Sequence, residues 1–338
     1  MLDFEAFKGV RAMADVFSAA HFRDDTAARV ELERILWPAG PVCCHCGTID
    51  HAYAIKREGV YRCAEKECRK DFTVTMRTVM ERSKIALHKW LQAFALMTAS
   101  KKGISAHQLH RTLDIGYEAA WFMCHRIREA MRDGGLAPLG GGGKIVEADE
   151  TYYGNIERAK RRTETTSGRP FTKRGRTGPS NKRAIVALVE RGGNVRTFHV
   201  PTADKATVTK IVTENIARES KLHTDESRLY WGADEHFAEH ETVKHSADEY
   251  VRYKFTWGKE GPKTEKIHTN SAEGYFSIFK RGMRGIYQHC GEKHLHRYLA
   301  EYDFRYNHRV ALGFNDGDRA ALAVKNASGK RLTYRGPH

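Results

Sequence analysis

Residues 144–155 read KIVEADETYYGN. An apolar start runs into three carboxylates in four positions, Glu147, Asp149 and Glu150. The stretch that follows, 155–183, carries ten lysines and arginines against two acids. Concentrated negative charge beside concentrated positive charge calls for a ligand that uses both. Alternation along a strand puts Glu147 and Asp149 on one face and Glu150 on the other.

The pattern downstream is one of strands and helices. RAIVALVERGG and NVRTFHVP read as two further strands, the pair joined by a Gly-rich turn. TVTKIVTENIARES reads as a helix and KLHTDES as a short strand with its exit. NSAEGYFSIFKRGMRG is another helix, and EKHLHRYLAEYDFRYNHR a last one before a short basic tail. Asp149 then ends the first strand, Asp225 ends a later one, and Glu273 opens a helix. Three carboxylates from separate elements can converge on a pair of divalent cations. Oxygen-rich sites suit magnesium or manganese, and two such ions clamp the attacking and leaving oxygens of a phosphoryl transfer. Each acid also has a plainer reading. Asp149 is a strand-end residue, Asp225 caps a turn, and Glu273 is the third position of a capping box begun by Asn270. Lys280, two turns after Glu273, shares its helix face and is placed either for a phosphate or for solvent.

Upstream, DGGLAPLGGGG (133–143) is the clearest linker and the main domain boundary. Before it, Cys43-x2-Cys46 and Cys63-x4-Cys68 form two ligand pairs with the spacing of a zinc ribbon. Four thiolates close the coordination sphere, so this zinc is structural. Cys124 and Cys290 are isolated and read as core. ALHKWLQAFALMTASKKG is a helix with Leu87, Leu91, Phe94 and Met97 on one face. Two more helices flank a tight DIGY turn; Ser105 and Gln108 make a capping pattern, and Ile104 with Leu109 a hydrophobic staple. The pair reads as a helix-turn-helix, with His125, Arg126 and Arg128 as DNA contacts and Trp121 and Phe122 as core. The 338 residues carry a formal net charge of +15, which favours a polyanion, double-stranded DNA first. No apolar span of about 20 residues and no secretory signal is visible, so a cytoplasmic, nucleoid-associated protein without a membrane partner is expected.

At this point the chain resembles bacterial insertion-sequence transposases of the DDE superfamily, in the ISXO-like branch that begins with a zinc ribbon. The carrying stretches are RILWPAGPVCCHCG, YRCAEKECRKDFTV, HKWLQAFALMTASKKGISAHQLHRTL, VEADETYYG, HTDES and HTNSAEGYFSIFKRGMRGIYQHC with HLHRYLAEYDFRYNHR, from about Arg34 to Arg309. Cys44 stands where proline is common in that family's first cysteine pair. The resemblance implies an α/β fold: a ribonuclease H-like mixed-sheet catalytic domain preceded by a zinc ribbon and a helix-turn-helix. It makes Asp149, Asp225 and Glu273 the ligands of two Mg2+ or Mn2+ ions, with Lys280 as the basic residue of the last motif. Some relatives carry Asn in the third position, which Asn270 would supply here. The expected domains are a helical segment (1–37), the ribbon (38–80), the helix-turn-helix (81–132), the linker (133–143), the catalytic domain (144–312) and the basic tail (313–338). The expected activity is binding of terminal inverted repeats, strand cleavage and strand transfer, by a homodimer or larger assembly. A nuclease without strand transfer and a transposase-derived DNA-binding regulator are the alternatives. The basic insert, with Arg161, Arg162, Lys173 and Arg174, is read as an arm that tracks the DNA backbone.

Overall fold

The computed structural model describes residues 17–132, 134, 137–155, 182–258 and 261–333. Two compact units make up the chain, Met1–Asp133 with His308–His338, and Gly134–Asn307.

In the first unit, Asp24 caps α1 (Asp25–Leu36) by accepting from the Ala27 amide, and Ala28 and Leu32 are its buried residues. Three short antiparallel strands follow, β1 (Ala52–Ala54), β2 (Tyr61–Cys63) and β3 (Asp71–Phe72), in the order β1-β2-β3. Helix α2 (Leu87–Ala99) buries Leu91, Phe94 and Met97, the face its spacing selects. Ser105 accepts from the Gln108 amide to start α3 (Ala106–Leu113), and Ile104 and Leu109 are both buried, as a staple requires. Asp114 turns the chain in the left-handed region, at φ 48°, into α4 (Tyr117–Met131).

Two readings of this unit need correcting. His125, Arg126 and Arg128 on α4 are buried rather than presented to a groove. Arg126 donates to the Glu81 carbonyl oxygen and lies over the rings of Trp90 and Phe122, so its charge is spent inside the fold. His125 stacks edge-on against Trp121. Residues from 313 onward do not form a mere basic tail either. Asn315 and Asp318 complete a reciprocal capping box for a C-terminal helix, Asp316–Lys325, which packs on α2. Its buried Arg319 donates to the carbonyl oxygens of Thr98 and His308.

The second unit is built on a five-stranded sheet of order β6-β5-β4-β7-β8. Its strands are β4 (Ile145–Asn155), β5 (Lys182–Glu190), β6 (Val195–Val200), β7 (Lys221–Asp225) and β8 (Glu239–Val243). β4, β5 and β6 run antiparallel, whereas β7 and β8 run parallel to β4. β5 is an almost unbroken apolar run because both its faces are covered. Ala184, Val186 and Leu188 face Val208 and Val212 of α5 (Lys205–Asn215). Ile185, Ala187 and Val189 face α6 (Asn270–Gly282) and α7 (Leu295–Asn307), through Phe276, Phe279, Leu295 and Tyr302. Between β8 and α6 a separate hairpin forms from β9 (Arg252–Gly258) and β10 (Gly261–Ile267).

The described part of the Gly-rich linker is docked rather than free. Leu139 is buried and bridges to Ile216, and the Gly141 amide donates to Ser220 Oγ. Gly140 sits at φ 86°, and a Cβ there would stand 2.1 Å from that hydroxyl oxygen, so only glycine fits.

Candidate active site and zinc centre

The four predicted ligands Cys43, Cys46, Cys63 and Cys68 come together, with all their sulfurs within 4.8 Å of one another. Cys43 and Cys68 Sγ are 3.7 Å apart, Cys46 and Cys63 Sγ 3.6 Å. Zn–S bonds of about 2.3 Å at tetrahedral angles require sulfur separations of about 3.8 Å, so the donor set fits one zinc. The first knuckle closes through the Gly47 amide on the Cys43 carbonyl oxygen, with Gly47 at φ 84°. Trp37, Tyr61 and Phe72 pack edge-on and stacked beside it. Cys44 stands outside the ligand set, and burial raises its thiol.

On the large sheet, β4 alternates as expected. Val146 and Ala148 enter the α5 side of the core. Glu147 and Asp149 therefore lie on the side covered by α6. Asp149 is not at the strand end: β4 continues along β5 as far as Asn155. It stands instead where the pairing with β7 stops, after Glu147↔His223. Carried two residues further, that parallel register sets Asp149 beside Asp225, the last residue of β7. Asp149 Oδ1 accepts from the Glu150 amide and Asp225 Oδ1 from the Ser227 amide, so each keeps its other oxygen available. Glu150 turns to the opposite face, where Ser227 Oγ and Tyr230 OH donate to it at 3.1 and 3.0 Å.

Burial, with charge repulsion added, marks the cluster. Burial, with Glu150, Asp225 and Glu273 adding to it, pushes the Asp149 carboxyl up to about 7. Burial raises Glu150, with Asp225 adding to it, and burial also raises Asp225. Among the described residues, only the four thiols form a set of three or more donors within 4.8 Å; the carboxylates stand further apart.

Glu273 lies in the first turn of α6, and the capping box with Asn270 does not form. The N-cap is Thr269, without a side-chain bond, and Asn270 is already helical. The capping acid is Glu147. It has no exposed surface and accepts from the Ser271 amide at 2.7 Å, the Ala272 amide at 3.2 Å and Ser271 Oγ at 3.0 Å. Arg191 pairs with it at 2.9 Å, and His268 Nδ1 lies 3.2 Å away. A buried carboxylate at a helix N-terminus thus ties the strand of Asp149 to the helix of Glu273. Lys280 is half-buried two turns on, its ammonium 6.0 Å from the centre of the Phe276 ring.

Sequence reasoning missed His245. Its Nε2 lies 3.6 Å from Glu273 Oε1 and 3.3 Å from Thr269 Oγ1, and it favours the ionised form of the Asp225 carboxyl. Glu226 holds that turn by accepting from the Ser246 amide and hydroxyl. The pairing spans 20 residues of sequence, so no local signal announces it. Arg161, Arg162, Lys173 and Arg174 lie outside the described residues. Among the described residues no helix is long and apolar enough to cross a membrane.

Comparison with known proteins places this arrangement. Residues 138–307 match the ISXO2-like transposase domain, and residues 23–71 match the transposase zinc-ribbon domain. A protein of Halobacterium salinarum, named as an uncharacterized protein in transposable element ISH50, is 28% identical over 267 residues, 75% of this chain and 83% of that one. Among solved structures, the Mos1 strand transfer complex aligns over 60% of this chain and 72% of its own, at 12% identity and a TM-score of 0.21, too low to bear on the fold. With the family match covering the whole sheet, its carboxylates and the helices behind them, this chain belongs to the ISXO2-like transposases and carries their zinc ribbon in front.

Proposed function

We propose that the protein is a DNA transposase whose Asp149, Asp225 and Glu273 hold divalent cations while it cleaves element ends and joins them to target DNA. One observation carries the reading: carboxylates from β4, β7 and α6 stand near enough to act on one another, and burial first, with those neighbouring charges adding to it, lifts Asp149 to about 7. A fold retains such uncompensated negative charge where a cation relieves it, and an all-oxygen donor set suits magnesium or manganese. The strand order strand-strand-strand-helix-strand, antiparallel then parallel, supports a ribonuclease H-like fold for this unit.

Bound cations would neutralise charge at the scissile phosphate and activate the attacking oxygen. The chain's own residues position that phosphate. Asp149, inside β4, and Asp225, at the end of the adjacent β7, offer one oxygen each. Glu147 fixes the helix that brings Glu273 to them, and Lys280 faces the phosphate beside the cleaved bond. Recognition of the terminal repeats belongs to the first unit, on the exposed side of α3 where His107, Gln108 and Arg111 stand. The insert with Arg161, Arg162, Lys173 and Arg174 tracks the backbone of the same duplex, and two ends are processed together by at least two protomers.

The test is incubation of the full chain with Mg2+ and duplexes bearing the element's inverted repeats. Nicking at the repeat boundary and joined products are expected, with Asp149→Asn slower by at least about a hundredfold. Cleavage without joined products would identify a nuclease instead.

A further inference from the structure

The hairpin of β9 and β10 carries a feature that metal-dependent transfer does not use. Along β9, Tyr253, Phe255 and Trp257 alternate onto one face and are 54%, 74% and 86% exposed. The alternate residues Arg252 and Lys254 are tied down on the other face. Arg252 donates to Glu241 and to the Thr242 carbonyl oxygen, and Lys254 pairs with Glu239 and Glu241, all on β8. These ion pairs anchor the hairpin by its polar face and turn the rings outward. Across the strand, Lys266 pairs in register with Tyr253 and holds its ammonium 6.0 Å from that ring's centre. An isolated fold does not leave three large rings in water without a use.

We propose that this face is a stacking platform for unpaired bases of a DNA strand leaving the carboxylate cluster. Position supports it. The Lys266 carbonyl oxygen accepts from Arg191, the partner of Glu147. At the other root, the Tyr250 ring packs 5.5 Å from the ring of His245, which contacts Glu273. The platform therefore starts beside the proposed cleavage site and extends away from it. Spacing supports it as well. Side chains two apart on a strand stand about 6.8 Å from each other. Bases in a duplex step by about 3.4 Å. Rings at double that interval receive bases unstacked from one another, and such stacking is tolerant of sequence. Charge separates the possible occupants. A second copy of this chain brings another +15, whereas a nucleic acid strand is attracted by it and by Lys266.

The inference rests on the transposase reading for its location, but its test needs neither metal nor cleavage. The full chain, in chelator against divalent cations at a concentration that spares zinc, is titrated with a single strand of about 20 nucleotides, the same strand with abasic sites, and the duplex. Quenching of Trp257 fluorescence by the single strand is expected, and absence of that quenching in Trp257→Ala identifies the reporter. Phe255→Ala with Trp257→Ala should weaken single-strand binding about tenfold per ring, and Trp257→Phe should retain it. Duplex and abasic binding should stay within about twofold of wild type. Equal affinity of wild type and double variant for the single strand would overturn the proposal, as would an equal loss on all three probes. A changed oligomeric state with unchanged single-strand binding would overturn it in favour of a face between protein chains. If Asp149→Asn cleaved normally while the ring variants lost single-strand binding, the catalytic assignment would fall and the platform would stand.

Discussion

Glu147 and Asp149 are two residues apart on one strand face and do different work. Alternation put both on that face and turned Glu150 the other way. What it did not announce is that Glu147 serves α6, because its partners Arg191, Ser271 and Ala272 lie 44 to 125 residues away. Glu147→Ala would leave Arg191 without its carboxylate and two helix amides without an acceptor. A loss of about 3 kcal/mol in urea unfolding is expected, in the range for breaking a buried ion pair. The same distance limit hid His245 beside Glu273. It also explains Arg126, whose charge suggested a surface although Glu81 and Trp90, from distant stretches of sequence, enclose it.

Among the elements, those that face a core on a regular period were legible: β4, β5 and β6, the helices α2 and α5 to α7, and the cysteine knuckles. β8, β9 and β10 were not, because their order comes from ion pairs rather than burial. Glu239 is held at about 2 by the hydrogen bond from Lys254 and then by Lys221. Its folded value lies below the unfolded one of about 4.3. Its contribution is therefore present above about pH 4.3 and is lost as pH falls towards 2. Amides of β8 should exchange faster at pH 3 than at pH 6 after correction for intrinsic rates, and Glu239→Gln should abolish most of that difference. The C-terminal helix was missed although Asn315 and Asp318 spell its cap, because basic residues around it suggested a tail. For the ribbon, metal analysis should find one zinc per chain. Its removal, or Cys63→Ser, should lower the melting temperature and speed amide exchange through residues 43–72, since a four-thiolate site is part of the folding free energy.

At the scale of the molecule the chain falls into two compact units, and the sequence changes from cysteine knuckles and paired helices to apolar strands across 133–143. The net charge makes a further prediction. Each phosphate contact contributes a slope of about −0.9 to log affinity against log salt concentration. Replacing Arg161, Arg162, Lys173 and Arg174 with serine should reduce the slope by up to about 3.6, and an unchanged slope would remove the insert from the DNA interface. The central claim is that Asp149, Asp225 and Glu273 jointly hold the cations of a DNA-cutting site. Its most direct test is a Mn2+ binding isotherm, read by electron paramagnetic resonance on the zinc-loaded chain. The account predicts about two Mn2+ per chain, with binding lost or at least about tenfold weaker in each of Asp149→Asn, Asp225→Asn and Glu273→Gln. Three variants that bind Mn2+ as wild type does would contradict it.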